Sequence, residues 1–132
     1  MAEKFKGFVA LKALIERDGK ILLVENARDL KWQLPGGRMD TGESPEETLQ
    51  REIREELSIE TKPVSVFSAG TFKNSKGEEH LYLVYRCEFA GNKDDIQIDE
   101  KEVKSFRWID KKKLDSLDIW PEYLFVIRKA LS

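Results

Sequence analysis

The sequence predicts an α+β protein in which helices flank a mixed β-sheet. Its predicted elements run in the order strands, helix, strands, helix, and this segregation is typical of the class. Hydrophobic residues make up 40% of the 132 residues, which suffices for one hydrophobic core in a chain of this length. Because a domain commonly holds about 150 residues, we expect residues 1–132 to form a single domain.

A β-hairpin is predicted near the start of the chain. Residues 8–15 and 21–24 are apolar runs, and an Asp-Gly dipeptide lies between them. Asp-Gly favours a type I′ turn, because both central residues of that turn need a positive φ. After the hairpin we expect a polar loop at residues 25–33 and a turn at the Leu-Pro-Gly-Gly sequence of residues 34–37.

Residues 44–57 are predicted to form an amphipathic helix. Ser44, followed three residues later by Glu47, forms a capping box, and Pro45 suits the first helical position. Apolar residues recur at every fourth position, as on the buried face of a helix: Leu49, Ile53 and Leu57.

Two strands joined by a turn are predicted after this helix. Residues 64–67 follow Pro63 and form a short apolar strand, and residues 74–79 form a turn that contains Gly77. Residues 81–89 carry apolar side chains at every second position. That alternation predicts a strand with one buried face.

A loop, a short strand and a second helix complete the predicted elements. Residues 91–102 form an acidic loop, and residues 106–109 form the strand. Apolar residues between 123 and 131 follow the i, i+3, i+4, i+7 spacing of a helix with one buried face. We therefore expect this helix to pack against the sheet.

Composition and charge exclude several classes of function. The 23 basic and 25 acidic residues give a net charge of −2, so we expect no nucleic-acid polymer as a partner. The chain has neither a run of 18 apolar residues nor an apolar stretch near its start, so we expect a cytoplasmic protein without a membrane partner. Cys87 is the single cysteine, which excludes an internal disulfide and a multi-cysteine zinc site.

Three carboxylates lie together beside the apolar stripe of the first predicted helix. At about 100° per residue, Glu52, Glu55 and Glu56 share an arc of about 100°. Glu52 and Glu56 are one turn apart, and like charges at this spacing cost a few tenths of a kcal/mol. A hard divalent cation such as Mg²⁺ would remove that cost. The alternative is a solvated acidic face paired with arginines.

Glycine and charged residues are spaced in a recognisable pattern from Gly37 to Ile59. Gly37 is followed after five residues by Glu43, and after seven more by Arg-Glu-Ile-Arg-Glu-Glu-Leu-Ser-Ile. This resembles the Nudix box of MutT-like Nudix hydrolases, and only Ser58 departs from it, where the family has glycine. The family glycine would serve a turn with positive φ, so Ser58 would either adopt that conformation at a cost of about 1 kcal/mol or give the turn another shape. The resemblance, which extends to the order of elements, implies a Nudix-type α/β/α sandwich.

The resemblance implies a metal site on this helix. Nudix hydrolases use a divalent metal to cut a phosphoanhydride of a nucleoside diphosphate linked to another group. Glu55 and Glu56 would be the main metal ligands, together with the backbone carbonyl of Gly37. Glu52 would be a further ligand or the base that activates water.

The resemblance also implies roles for two arginines and for an acid outside the box. Arg51 would orient a carboxylate of the box with Glu43 as its structural partner. Arg38 would meet a phosphate, and the alternative is an ordinary exposed arginine. In MutT-like sequences a further acid lies six residues before the tryptophan of the last strand. Here the tryptophan is Trp108 and the acid is Glu102, with three alternatives left open: Asp99, Glu100 and a merely solvated loop.

Aromatic residues are the candidates for holding a nucleobase. Trp32 precedes the Leu-Pro-Gly-Gly turn, and would either join the core or stack on a base. Trp120, Pro121 and Glu122 resemble a stretch that contacts the base in enzymes that sanitise oxidised purine nucleotides, although Tyr123 departs from it. The alternative for this stretch is an ordinary helix start with proline in its first turn.

The expected function is Mg²⁺-dependent hydrolysis, with Mn²⁺ as a possible substitute, of a (deoxy)nucleoside triphosphate to the monophosphate and pyrophosphate. The small-molecule nucleotide would be bound by a monomer or a homodimer. One alternative substrate class is ADP-ribose or another dinucleotide-type diphosphate. An alternative of another class is a Nudix-fold module that binds a nucleotide without hydrolysing it. The three carboxylates of the box favour an enzyme.

Overall fold

Seven strands and two α-helices are present in the residues that the structure describes. The computed structural model covers residues 2–132, apart from the side chain of Lys93. The strands are β1 Phe8–Arg17, β2 Lys20–Asn26, β3 Trp32–Gln33, β4 Gly36–Arg38, β5 Lys62–Lys73, β6 Glu79–Glu88 and β7 Val103–Ile109. The helices are α1 Pro45–Leu57 and α2 Pro121–Leu131, with short 3₁₀ turns at Lys93–Asp95 and Leu114–Ser116. No helix among residues 2–132 is long and apolar enough to cross a membrane.

The strands form a mixed sheet, as the sequence predicts. Strand β1 runs parallel to β6, and β5 and β4 pair antiparallel with β6 and β1 respectively. Strand β2 lies antiparallel between β3 and β7, and joins β1 through the hairpin at its end. Asp18 and Gly19 have φ values of 54° and 74°, which confirms the predicted hairpin turn.

The two helices cover opposite faces of the sheet. The α1 residues Leu49, Ile53 and Leu57 are fully buried in a cluster that also holds Leu11 and Ala13 of β1. On the other face, α2 buries its own apolar stripe against Ala10 and Leu14. Since burial of one large apolar side chain contributes about 1.5–3 kcal/mol, these layers supply most of the stabilisation. The arrangement is the helix–sheet–helix sandwich expected from the sequence.

The termini of α1 follow the local signals in the sequence. The side chain of Ser44 accepts a hydrogen bond from the backbone N–H of Glu47, and the Glu47 side chain accepts one from Ser44. At the other end, Ser58 has φ 57° and ψ 33°, and its N–H donates to the carbonyl of Arg54. Of the two alternatives left open for Ser58, the structure therefore shows the left-handed conformation.

Several predicted elements needed correction. The segment at 81–89 is not buried on one face only, because Tyr82 and Val84 pack toward α2 while Tyr85 and Cys87 pack toward α1. The strand expected at 64–67 extends over Lys62–Lys73. The expected loop at 25–33 contains β3, and the expected turn at 34–37 contains the start of β4. These two short strands depend on partners distant in sequence, which local periodicity does not reveal.

Candidate active site

An open cleft of about 530 Å³ lies where α1, β1, β4, the β5–β6 hairpin and the start of α2 meet. Many of its lining residues carry charged or amide side chains. Its acidic lining residues are Asp29, the α1 residues Glu52 and Glu56, Glu78, Glu102 before β7, and Glu122 of α2. The cleft therefore gathers carboxylates that are as much as 93 residues apart in the sequence.

The two glycines of the Leu-Pro-Gly-Gly sequence allow α1 to approach the sheet. Gly36 has φ 143°, and a Cβ there would lie 1.9 Å from the carbonyl oxygen of Leu11. Its N–H donates a hydrogen bond of 2.9 Å to Oε1 of Glu56. A Cβ at Gly37 would lie 2.3 Å from the carboxyl carbon of Glu52. Side chains at these positions would displace both carboxylates, so the glycines are required by close approach.

Arg51 joins the acidic residues of the box. Its guanidinium donates to both oxygens of Glu43, at 2.6 and 2.9 Å. It also donates to Oε1 of Glu52 at 2.9 Å, and lies 3.3 Å from Oε2 of Glu55. The fork of guanidinium donors fixes the direction of each acceptor. This is the orienting arrangement that the resemblance implies for Arg51 and Glu43.

Glu56 is the most deeply buried acid of the cleft, with 7% of its surface exposed. Burial raises the pKa of Glu56 to about 8, and the charges of Glu52 and Glu102 act in the same direction. Lys12 and the N–H of Gly36 oppose this rise. A carboxylate with a raised pKa beside two others gains more than an exposed one from a bound cation.

Glu52 stands between Glu56 and Arg51. Burial raises the pKa of Glu52, and the hydrogen bond with Arg51 only partly opposes this rise. The side chain is 17% exposed and its Oε1 is held by the guanidinium, while its Oε2 makes no hydrogen bond among residues 2–132. Such a group can accept a proton from a water molecule in the cleft.

The acidic residues fit a divalent metal that keeps other ligands. Among residues 2–132, no three acidic, histidine or cysteine side chains are arranged as a complete metal-binding group. Mg²⁺ commonly takes only one or two carboxylates and fills the remaining positions with water and substrate phosphates. The charges of Glu52 and Glu102 both act on Glu56 in the cleft. This hard oxygen donor set suits such an ion.

Not every acid expected at the site lines the cleft. Glu102 lines it, whereas the carboxylate of Asp99 accepts the N–H of Lys101 and shapes the turn. Glu100 is exposed outside the cleft lining. The side chain of Glu55 is 53% exposed and lies beside Arg51 rather than in the cleft.

The residues expected to bind substrate separate into two groups. Arg38 lines the cleft with its guanidinium 4.1 Å from the centre of the Phe8 ring. Trp120 and Glu122 also line it, and Oε2 of Glu122 is buried without a hydrogen-bond partner among the described residues. Trp32 does not, because it is only 7% exposed and packs in the core on the α2 side. Its burial contradicts the stacking role expected for it and favours the alternative that the sequence left open.

Several polar residues of the cleft, among them Lys12 and Gln33, are missed by the sequence analysis. Lys12 on β1 is 6% exposed, and Gln33 on β3 faces it across the cleft wall. Lys12 is a lysine within an otherwise apolar run, and that interruption is the one local signal for it. No local signal marks Gln33, because a polar residue is not unusual in the polar loop predicted at residues 25–33.

Known proteins resemble this chain in sequence and in fold. The family model described as the NUDIX domain matches residues 6–129. Nucleoside triphosphatase NudI of Escherichia coli O81 (strain ED1a) is 33% identical over 121 residues, covering 80% of this chain and 84% of that protein.

Solved structures agree with this result. A NUDIX hydrolase from Nitrosomonas europaea matches with a TM-score of 0.83 and 23% identity, over 95% of this chain and 88% of that one. The MutT NUDIX hydrolase from Burkholderia pseudomallei matches with a TM-score of 0.75 and 28% identity, over 96% and 97%. The family model, the relative at 33% identity and the glycine-anchored carboxylates of α1 together show that this chain belongs to the family of Nudix hydrolases.

Proposed function

We propose that this chain is a Mg²⁺-dependent pyrophosphohydrolase that converts a nucleoside triphosphate to the monophosphate and pyrophosphate. The observation that carries the proposal is the cluster of Glu52, Glu56 and Glu102 in one open cleft. The relative of 33% identity is a nucleoside triphosphatase, and this supports the triphosphate. The proposal includes a single functional domain over residues 1–132, a cytoplasmic location and a monomeric or homodimeric state.

Nudix hydrolases generally use divalent metal ions, and we propose Mg²⁺, with Mn²⁺ as a substitute. The ligands would be Glu52, Glu55, Glu56, Glu102 and the carbonyl of Gly37. When bound, the ion neutralises phosphate charge and polarises water. Arg51 then keeps Glu52 directed toward the site and pairs with Glu55 outside the cleft lining, and the N–H of Gly36 keeps Glu56 in place.

The proposed reaction is an attack by water on a phosphorus atom of the α–β anhydride. A new P–O bond forms to the water oxygen, the bridging P–O bond breaks, and pyrophosphate and the monophosphate separate. Glu52 takes the proton that the water loses, with Glu102 as the competing base. In phosphoryl transfer most of the acceleration comes from positioning and electrostatics, which fixed carboxylates and the cationic Arg38 supply.

The nucleoside is proposed to occupy the part of the cleft near α2. Trp120 offers an aromatic ring there, and the ammonium of Lys31 lies 4.7 Å from the centre of this ring. The buried and unpartnered Oε2 of Glu122 is an acceptor for an N–H of the base. A buried acceptor without a partner costs about 1–3 kcal/mol, so a base that donates to it gains affinity.

The test is a hydrolysis assay across nucleoside triphosphates, nucleoside diphosphates and ADP-ribose with Mg²⁺ or Mn²⁺. Phosphate and pyrophosphate are measured separately, because only pyrophosphate release matches the proposed cleavage. Pyrophosphate from at least one triphosphate, lost on metal chelation, is the expected result. Faster hydrolysis of ADP-ribose than of every triphosphate would overturn the substrate. Tight nucleotide binding without turnover would instead support the binding module.

A further inference from the structure

The backbone of Arg38 is fixed, whereas its guanidinium keeps its donors for a ligand. Arg38 pairs with Ala10 in the β1–β4 register, and its carbonyl accepts a hydrogen bond of 3.2 Å from Nη2 of Arg51. Its side chain is 49% exposed and lines the cleft. Among residues 2–132, the guanidinium contacts one aromatic ring and lies near one carboxylate, which is too far away for a hydrogen bond.

The aromatic ring belongs to Phe8, the first residue of β1. The guanidinium carbon of Arg38 lies 4.1 Å from the centre of this ring, which is within the range of a cation–π contact. Phe8 is two positions before Ala10, so it is a diagonal neighbour of Arg38 on the same face of the sheet. The Phe8 ring also lies 5.3 Å from the ring of His80. Phe8 therefore holds the charge of Arg38 in place without offering it a hydrogen-bond acceptor.

The carboxylate belongs to Glu78, in the β5–β6 hairpin. Its Oε1 lies 3.9 Å from Nη2 of Arg38 and accepts a hydrogen bond of 2.7 Å from Nδ2 of Asn74. The backbone N–H of Glu78 donates to Oδ1 of Asn74 at 2.9 Å. The hydrogen bond from Asn74 holds the pKa of Glu78 below its ordinary value, and the charge of Arg38 acts in the same direction. Glu78 therefore keeps a partner of its own when Arg38 binds another group.

The Arg38–Glu78 pair is weak by its geometry. Ion pairs between exposed side chains contribute little, and this pair has no hydrogen bond between its two members. A phosphate can accept two parallel N–H bonds from one guanidinium. A phosphate in the cleft is therefore a better partner for Arg38 than Glu78 is.

We propose that Arg38 exchanges the carboxylate of Glu78 for a phosphate of the substrate, and that Phe8 is a positioning residue that holds the guanidinium during this exchange. The inference rests on the proposed function, because the phosphate belongs to the nucleotide of the same site. Phe8 favours binding, since it limits the motion of Arg38. Glu78 opposes binding, since it must first give up its partner. Two neighbours of one guanidinium therefore change the affinity for a phosphate in opposite directions.

The first test measures affinity without turnover. The probe is a nucleoside triphosphate with a methylene group in place of the α–β bridging oxygen, and its Kd is measured by calorimetry with Mg²⁺. We expect Phe8→Leu, which keeps an apolar side chain without a ring, to raise the Kd about 2- to 5-fold. Glu78→Gln, which keeps an acceptor for Asn74, should lower it about 2- to 5-fold.

Matched controls change the same residue types outside the cleft. Phe125→Leu and Glu79→Gln remove a ring and a charge from exposed positions that do not line the cleft. Both variants are expected to keep the Kd of the wild type. Thermal unfolding of every variant checks that it is folded.

The second test repeats both substitutions in an Arg38→Met background. If both residues act through the guanidinium, neither Phe8→Leu nor Glu78→Gln should change the Kd there. A structural role of Phe8 would weaken binding in both backgrounds and would overturn its positioning role. Repulsion between Glu78 and the phosphates would likewise persist without Arg38, and that result would overturn the exchange.

The outcomes also separate this inference from the proposed function. An unchanged Kd in Phe8→Leu, or weaker binding in Glu78→Gln, would overturn the inference even if triphosphates are hydrolysed. The expected pattern of Kd values in a protein that hydrolyses no triphosphate would support the exchange and overturn only the proposed function. A wild type that does not bind the probe would overturn both.

Discussion

The guanidinium of Arg51 and the carboxylate of Glu43 form a two-bonded pair, with Nε 2.6 Å from Oε2 and Nη2 2.9 Å from Oε1. Glu43 also accepts from the N–H of Asp40 and the hydroxyl of Thr48. Glu43 therefore ties the loop before α1 to the helix. Because the same guanidinium donates to Glu52, this pair also sets the direction of a carboxylate in the cleft.

The first prediction concerns the acid stability of Glu43→Gln. Hydrogen bonds from Arg51 hold the pKa of Glu43 at about 2, below its ordinary value of 4.5. An acid whose pKa is depressed by folding stabilises the protein above its unfolded pKa, and this stabilisation is lost as the pH falls from about 4.5 to about 2. Urea unfolding at pH values between 6 and 2.5 should show a smaller loss of stability in Glu43→Gln than in the wild type. Equal losses in both proteins would contradict the role of this pair.

The second prediction concerns the left-handed end of α1. Ser58 has φ 57° in an exposed position, a conformation that costs a residue with a Cβ about 1 kcal/mol. Ser58→Gly removes that cost and keeps the backbone bond to Arg54, so the free energy of unfolding should rise by about 0.5–1 kcal/mol. Ser58→Ala keeps the Cβ and should change stability by less than about 0.5 kcal/mol. Urea unfolding of the three proteins measures both effects, and a Gly variant no more stable than the Ala variant would refute the explanation.

The sequence predicts those features whose cause is local. The capping box at Ser44 and the hairpin at Asp18 both depend on residues within a few positions of each other, and the pattern from Gly37 to Ile59 locates three carboxylates on one helix. Lys12 and Gln33 were missed because the hydrogen bond between their side chains joins residues 21 positions apart. It forms only after β1 and β3 have folded. Trp32 reads equally well as a core or a surface residue until its neighbours are known.

The third prediction concerns metal binding by Glu56. Burial raises the pKa of Glu56 to about 8, so Glu56→Gln replaces a group that is largely neutral at pH 7 without metal, and the fold should be kept. Because a ligand must be deprotonated, Mg²⁺ binding to the wild type at pH 7 should release a proton that the variant does not release. We expect turnover to fall at least about 10²-fold and the stabilisation by Mg²⁺ to disappear.

Calorimetry in buffers of different ionisation enthalpy measures the released proton, and thermal unfolding with and without Mg²⁺ measures the stabilisation. Glu60→Gln is the matched control, because Glu60 is exposed and pairs with Arg54 outside the cleft. Near wild-type turnover of Glu56→Gln at limiting Mg²⁺ would exclude Glu56 as a ligand.

The fourth prediction separates the two candidate bases. If Glu52 accepts the proton, Glu52→Gln should lower kcat strongly with a modest change in substrate binding, since the lost interaction forms only in the transition state. Glu102→Gln should then mainly raise the Mg²⁺ concentration needed for half-maximal activity. Steady-state kinetics at saturating metal compares the two variants. A larger loss of kcat in Glu102→Gln under these conditions would transfer the role of base to the loop before β7.

The fifth prediction contrasts two tryptophans that lie close together in the fold. The N–H of Trp120 donates to the carbonyl of Trp32 at 3.3 Å, yet Trp120 lines the cleft and Trp32 is buried in the core. Stacking on a base contributes about 1–3 kcal/mol, so Trp120→Ala should raise the KM for a triphosphate about 5- to 150-fold. Trp32→Ala should instead destabilise the fold by about 3–5 kcal/mol, because it leaves a cavity. Kinetics and urea unfolding on both variants separate the two effects, and an unchanged KM in a folded Trp120→Ala protein would remove Trp120 from the base site.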